Sequence, residues 1–144
     1  MNSKDKIGVL GGSFDPAHKG HLKISKEALK KFKLKKVIWA ITKKNPHKEK
    51  SKTSIPRRIQ NCKKIIKSNS LIKVKFYEKI INSNKTIDLI NHLLKDSKNE
   101  IFFLMGADNL INFHKWHKWK LISQKCNIFV FDRNGYKSKS MKCK

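Results

Sequence analysis

The sequence predicts an α/β protein: a doubly wound parallel sheet of about five strands with helices on both faces. Two observations carry this. Short apolar runs alternate with longer amphipathic stretches of helical period, the pattern that builds parallel sheets from strand–helix–strand units. The strand runs are also apolar at consecutive positions, as strands covered on both faces are. A length of 144 residues suits one domain with an ordinary core.

The elements follow in order. Ile7–Leu10, Val37–Thr42, Ile72–Tyr77, Ile101–Met105 and Ile128–Phe131 read as buried strands, being short, rich in β-branched or aromatic residues and bounded by polar ones. Leu22, Ile24, Ala28, Leu29 and Phe32 share one helix face. Ile55, Ile59, Cys62, Ile65 and Ile66 share a second, and Ile87, Leu89, Ile90, Leu93 and Leu94 a third. Leu110 to Ile122 carries a fourth helical stretch with a break expected near Trp116. Lys43–Ser54 is polar and reads as a mobile loop. Residues 1–134 read as the domain, and 135–144 as a basic, irregular tail. Ligands of such sheets lie beyond the carboxyl ends of the strands, where the strand order reverses.

Lys and Arg number 35 against 10 Asp and Glu, a formal net charge of +25. A polyanion partner would explain this. So would an A/T-rich genome, which favours Lys, Asn and Ile together. Only Arg57, Arg58 and Arg133 are arginines, whereas readers of nucleic acid favour the arginine fork. No recognition signature for RNA or DNA stands out, and the basic residues spread along the whole chain. No apolar run is long enough for a membrane span, and the first is too short for a signal peptide. Cys62, Cys126 and Cys143 are scattered and odd in number, which fits a reducing cytoplasm better than a disulfide scaffold.

The chemistry concentrates after the first strand, in Gly11-Gly-Ser-Phe-Asp-Pro-Ala-His-Lys-Gly-His21. Glycines let a backbone turn tightly and approach a ligand. A helix opening there offers unpaired N–H groups and the positive end of its dipole, which suits phosphate. His18 and His21, three apart, share the first turn and can donate to phosphate oxygens as charge builds. The alternative is a helix cap carrying two surface histidines. The pair has no nearby third ligand for a metal. The segment fits neither common nucleotide-binding glycine motif.

Gly11–Leu22 resembles the G-G-[ST]-F-D-P-x-H-x-G-H signature of the nucleotidylyltransferase superfamily, and within it the bacterial nicotinate-nucleotide adenylyltransferase family. Asn45-Pro-His-Lys48 resembles that family's phosphate-contacting loop after strand two. Thr86-Ile-Asp-Leu-Ile90 resembles its Thr-x-x-Thr-Leu helix start, with Leu89 and Ile90 in place of the usual Thr and Leu. Gly106-Ala-Asp-Asn-Leu110, Phe113-His-Lys-Trp-His117 and Val130-Phe-Asp-Arg-Asn-Gly135 resemble its Gly-Ala-Asp segment, Trp-containing helix and last-strand Val-x-x-Arg-x-Gly. The family's later Ile-Ser-Ser-Thr-x-Ile-Arg segment, which binds ATP phosphates, has no counterpart before Lys144. A truncated chain and a relative that has lost part of its ATP clamp are both compatible with that.

The resemblance implies a Rossmann-like nucleotidylyltransferase fold and adenylyl transfer from ATP to nicotinate mononucleotide, giving deamido-NAD and pyrophosphate in NAD biosynthesis. ATP is then the co-substrate, Mg²⁺ travels on its phosphates, and the protein supplies no metal site of its own. His18 and His21 are the implied catalytic pair. Gly11, Gly12, Ser13, Asp108 and Arg133 join them in holding ATP. Asp108 stands open between a ribose or adenine contact and the N-cap of the next helix. The mononucleotide falls to Ser13, Phe14, His47, Lys48, Thr86, Trp116 and His117. Trp116 suits stacking on the pyridine ring, and Thr86 suits the nicotinate end or the N-cap of the third helix. Phe14 also reads as packing, and Asp15 as a side-chain brace for the turn. Phosphopantetheine adenylyltransferase and glycerol-phosphate cytidylyltransferase, which share the first motif, are the neighbouring readings. A basic nucleic-acid-binding module is the reading from another class. Partners are otherwise the two small-molecule substrates, with no membrane.

Overall fold

Strand β1 (Asp5–Gly12) occupies the middle of the sheet, and its apolar run from Ile7 to Leu10 is buried. A computed structural model describes residues 4–43, 53–131 and 138–141, the side chains of residues 108 and 138–141 excepted. From β1 the chain runs through α1 (Lys19–Phe32), β2 (Lys36–Ile41), α2 (Ile55–Ile66) and β3 (Ile72–Lys75). It continues through α3 (Glu78–Ile81), α4 (Thr86–Leu93), β4 (Asn99–Gly106) and α5 (Ala107–Asn112). A 3-10 turn (Phe113–Lys115), α6 (Trp119–Lys125), β5 (Asn127–Phe131) and β6 (Ser138–Met141) complete the order.

The strand order is β3-β2-β1-β4-β5-β6. β1 through β5 pair in parallel, as expected, and β6 is antiparallel to β5. The order reverses at β1, between β2 on one edge and β4 on the other. Alternate residues of each strand feed opposite layers. Ile7, Val9, Phe103 and Val130 pack with Ile87, Ile90 and Leu93 of α4 and Ile122 of α6. Leu10, Trp39, Leu104 and Phe129 pack with Ile24 and Ala28 of α1 and Cys62 and Ile66 of α2.

Three local readings change. The expected irregular tail over 135–144 contains β6, because the edge of β5 offers a row of backbone groups that a following segment can pair. The strand read as Ile72–Tyr77 ends at Lys75, the last residue in register with β2, opposite Ala40; the apolar Phe76 and Tyr77 lead instead into α3. Thr86 is the first residue of α4 rather than its N-cap, which is Lys85. The break expected near Trp116 is present, with Trp116 extended between the 3-10 turn and α6. Residues 44–52, most of the segment read as a loop, lie outside the described residues.

One polar link crosses the core beneath α1. The buried indole of Trp39 donates from Nε1 to Ser25 Oγ at 2.8 Å, and Ser25 Oγ donates to the His21 carbonyl at 2.8 Å. Ser25→Ala removes the acceptor and leaves the Trp39 N–H buried without it. We expect a loss of about 1–3 kcal/mol, read as a lower midpoint in urea unfolding. An unchanged midpoint would mean that the indole finds another partner.

Candidate active site

The carboxyl end of β1 carries the site. Gly11 and Gly12 close the strand, and the chain turns through Ser13 to Pro16 into α1. The Asp15–Pro16 peptide in this turn is cis. Phe14 stands in the left-handed region, with φ 51°. That conformation costs a residue with a side chain about 1–2 kcal/mol. Burial of its ring, which is 2% exposed, returns roughly as much. Phe14 stacks on Trp39 at 5.1 Å between centroids and meets the His21 ring at 4.6 Å. Its side chain is therefore core, as the packing reading expects, and a contact with the mononucleotide would fall to its backbone.

The two histidines cap α1 reciprocally. His18 is the N-cap, and its Nδ1 accepts from Gly20 N at 3.1 Å. His21 Nδ1 accepts from His18 N at 3.1 Å. Their rings lie 3.8 Å apart. The sequence set a helix cap against a chemical role, and the cap is present. It does not compete with chemistry, because a neutral imidazole accepting at Nδ1 carries its proton on Nε2. Both rings are thus fixed as Nε2–H donors at the positive end of a helix.

On the other face of the sheet a small cavity is lined by Gly11, Phe103, Tyr77, Glu78 and Thr86. Thr86 and Gly11 thus line the same cavity. Burial pushes the Tyr77 phenol above its usual pKa. Trp116, half-buried, packs edge-on against Phe103 at 5.9 Å and against Phe113 at 5.3 Å, which places it one ring away from that cavity. His117 is exposed on the turn before α6. Asp108 lies on α5, whose N-cap is Gly106, so the capping role open to Asp108 falls to Gly106. His47, Lys48 and Arg133 lie outside the described residues.

Arg58 escaped the sequence reading. It is 2% exposed on α2, and its guanidinium donates to Ser13 O, Thr42 O, Lys43 O and Thr53 O. Glu78 was also missed; it accepts from Lys43 N at 2.9 Å. Asp15 braces across the turn rather than within it, accepting from Thr53 N at 3.4 Å. The available signal for Arg58 was its arginine identity in a chain whose cations are nearly all lysine.

A family model described as Cytidylyltransferase-like matches residues 9–143. A protein of Pelagibacter ubique named "Probable nicotinate-nucleotide adenylyltransferase" is 68% identical over 139 residues, 96% of this chain and 77% of that relative. The chain belongs to the nicotinate-nucleotide adenylyltransferase family. A relative of the same name from a Ruegeria species is 38% identical, across 90% of this chain and 68% of its own length. Among solved structures, Plasmodium falciparum nicotinic acid mononucleotide adenylyltransferase complexed with NaAD superposes with a TM-score of 0.77. At 19% identity, over 92% of this chain and 67% of that one, it shows the shared fold.

In this adenylyltransferase chain Gly20 is the residue that admits the His18 ring. A Cβ at Gly20 would lie 2.8 Å from His18 Cε1 and Nδ1. Gly20→Ala sets a helix-propensity gain of up to about 1 kcal/mol against loss of the His18 cap, which costs about 0.5–2 kcal/mol, so stability is expected to stay level or fall. The substitution should also displace the imidazole, seen as a changed ¹⁵N shift of His18 Nδ1. A native His18 shift in that variant would show that the ring does not need the space.

Proposed function

We propose that the chain transfers the adenylyl group of MgATP to nicotinate mononucleotide, through the turn after β1 and the histidine pair at the start of α1. The observation that carries this is the reciprocal cap of His18 and His21, at the reversal of strand order, in a chain of this family. A phosphate oxygen of the mononucleotide attacks the α-phosphorus of ATP. The bond from that phosphorus to the oxygen bridging to the β-phosphorus breaks, and pyrophosphate leaves with the electron pair. The attacking phosphate monoester has its second pKa near about 6, so it is already dianionic at neutral pH and needs no general base. Catalysis then rests on in-line positioning and on neutralising charge.

His18 and His21 donate from Nε2 to the phosphates, and Gly11, Gly12 and Ser13 offer backbone N–H groups beside them. Asp108 and Arg133 complete the ATP side. Thr86 and Trp116 take the nicotinate end across the sheet, joined by His117, while His47 and Lys48 hold the mononucleotide phosphate. Mg²⁺ enters on the triphosphate, since it keeps to substrate phosphates and few protein ligands. A cytoplasmic location suits these two substrates.

Pyrophosphate release with MgATP and nicotinate mononucleotide tests the reading, with nicotinamide mononucleotide and phosphopantetheine run in parallel. Release with the nicotinate substrate is expected, and its absence overturns the assignment. His18→Ala should lower kcat on the order of 10²-fold. Trp116→Ala should raise KM for the mononucleotide more than KM for ATP. Wild-type turnover in the first, or equal KM changes in the second, removes that residue from the mechanism.

A further inference from the structure

Arg58 is a buried cation whose partners, among the described residues, are backbone carbonyls. Nη1 donates to Ser13 O at 3.0 Å and to Thr42 O at 2.9 Å. Nη2 donates to Lys43 O at 3.2 Å, and Nε to Thr53 O at 3.0 Å. Three separate segments meet on this one side chain: the turn after β1, the end of β2, and the entry to α2. We propose that Arg58 is a positioning residue for adenylyl transfer, holding the phosphate-facing turn after β1 in register with Thr42 and Lys43 at the end of β2. The proposal rests on the function assigned above.

The geometry gives the reason. The Ser13–Phe14 peptide is trans, so its carbonyl and its N–H point in opposite directions. With the Ser13 carbonyl held on Arg58, the Phe14 N–H is presented on the opposite edge of the turn. Phe14 itself sits in the disfavoured left-handed region and needs such a restraint. The same turn is tied to β2 once more, by Thr42 N donating to Gly12 O at 2.8 Å. Among the described residues the guanidinium's hydrogen-bond partners are carbonyls and no carboxylate pairs with it. The Cys62 thiol is raised to a pKa of about 11 by burial, which outweighs the lowering pull of the nearby Arg58 charge. Lysine cannot substitute: it has a single nitrogen and no planar fork to reach four carbonyls in three segments.

The test compares wild type with Arg58→Lys, and with Arg58→Gly supplied with guanidinium or methylammonium at millimolar concentration. Each is assayed by pyrophosphate release at a temperature where far-UV circular dichroism shows it folded. Arg58→Lys should lose on the order of 10²-fold in kcat with little change in either KM. Guanidinium, but not methylammonium, should restore kcat to Arg58→Gly. Amide hydrogen exchange gives a reading independent of activity: residues 12–14 and 42–43 should exchange at least about tenfold faster in Arg58→Lys while β4 is unchanged. If neither variant folds, the Arg58 Nε–H of wild type is followed by NMR; slow exchange with water is expected, and fast exchange overturns the clamp. Native exchange in residues 12–14 or native kcat in Arg58→Lys also overturns it. A wild-type chain that releases no pyrophosphate defeats the assigned function instead, and the exchange of residues 12–14 then decides the clamp alone.

Discussion

The reversal of strand order at β1 is the constraint from which the rest of the molecule follows. β1 pairs in parallel with β2 on one edge and β4 on the other. Parallel neighbours require crossover connections, and these run right-handed. The chain leaving β1 through α1 therefore builds outward on one face, and the chain returning to β4 builds on the other. Past Gly12 the two connections diverge and leave a crevice astride the edge of the sheet. Because side chains alternate, Gly11 faces the layer of α4 and α6, whereas Gly12 lies against Phe14 in the layer of α1 and α2. Thr86 and Trp116, proposed for the nicotinate end, belong to the first layer. His18 and His21, proposed for the phosphates, belong to the second.

Stability and chemistry share atoms in this crevice. A helix start leaves N–H groups unpaired, and serine, threonine or aspartate usually caps them. Histidines do so here, and the capping bond selects the tautomer that can donate from Nε2. Beneath them Ser25 carries the link from Trp39 to the His21 carbonyl, so the first turn of α1 is fixed from the core side. Among the described residues no buried side-chain polar atom lacks a partner. The polar groups under the site are thus fully used, as a preorganised site requires.

Much of this was legible in the sequence, for a physical reason. The parallel strands and their helices are written in periodicity, because burial on two faces demands consecutive apolar residues and burial on one helix face demands a stripe. Hence Ile101–Met105 and Ile87–Leu94 were readable to within a few residues. The glycine turn and the histidine pair were readable because the motif is local. What escaped depends on partners distant in sequence. β3 ends at Lys75 where its register with β2 ends, and β6 pairs the open edge of β5; neither fact is written in the segment itself. Phe14 is readable as packing from its own segment, but its partner Trp39 is not. Arg58 was hidden for the same reason, since its acceptors are backbone carbonyls, which sequence does not distinguish.

The net charge of +25 gains meaning only when the cations are separated by environment. Exposed lysines such as Lys19, Lys26 and Lys30 are solvated, and their influence on a phosphate beyond about 8 Å is screened at physiological salt. They can raise the encounter rate with anionic substrates, an effect that fades with ionic strength. They cannot hold a transition state. Arg58 differs in kind: it is buried, multiply hydrogen-bonded and spared the screening that weakens a surface charge. An A/T-rich codon bias explains a surface of lysines, since any cation serves there. It does not explain an arginine at a position where only a planar fork can satisfy carbonyls from three segments. In this chain the informative cation is therefore the one that contributes least to the visible charge of the surface.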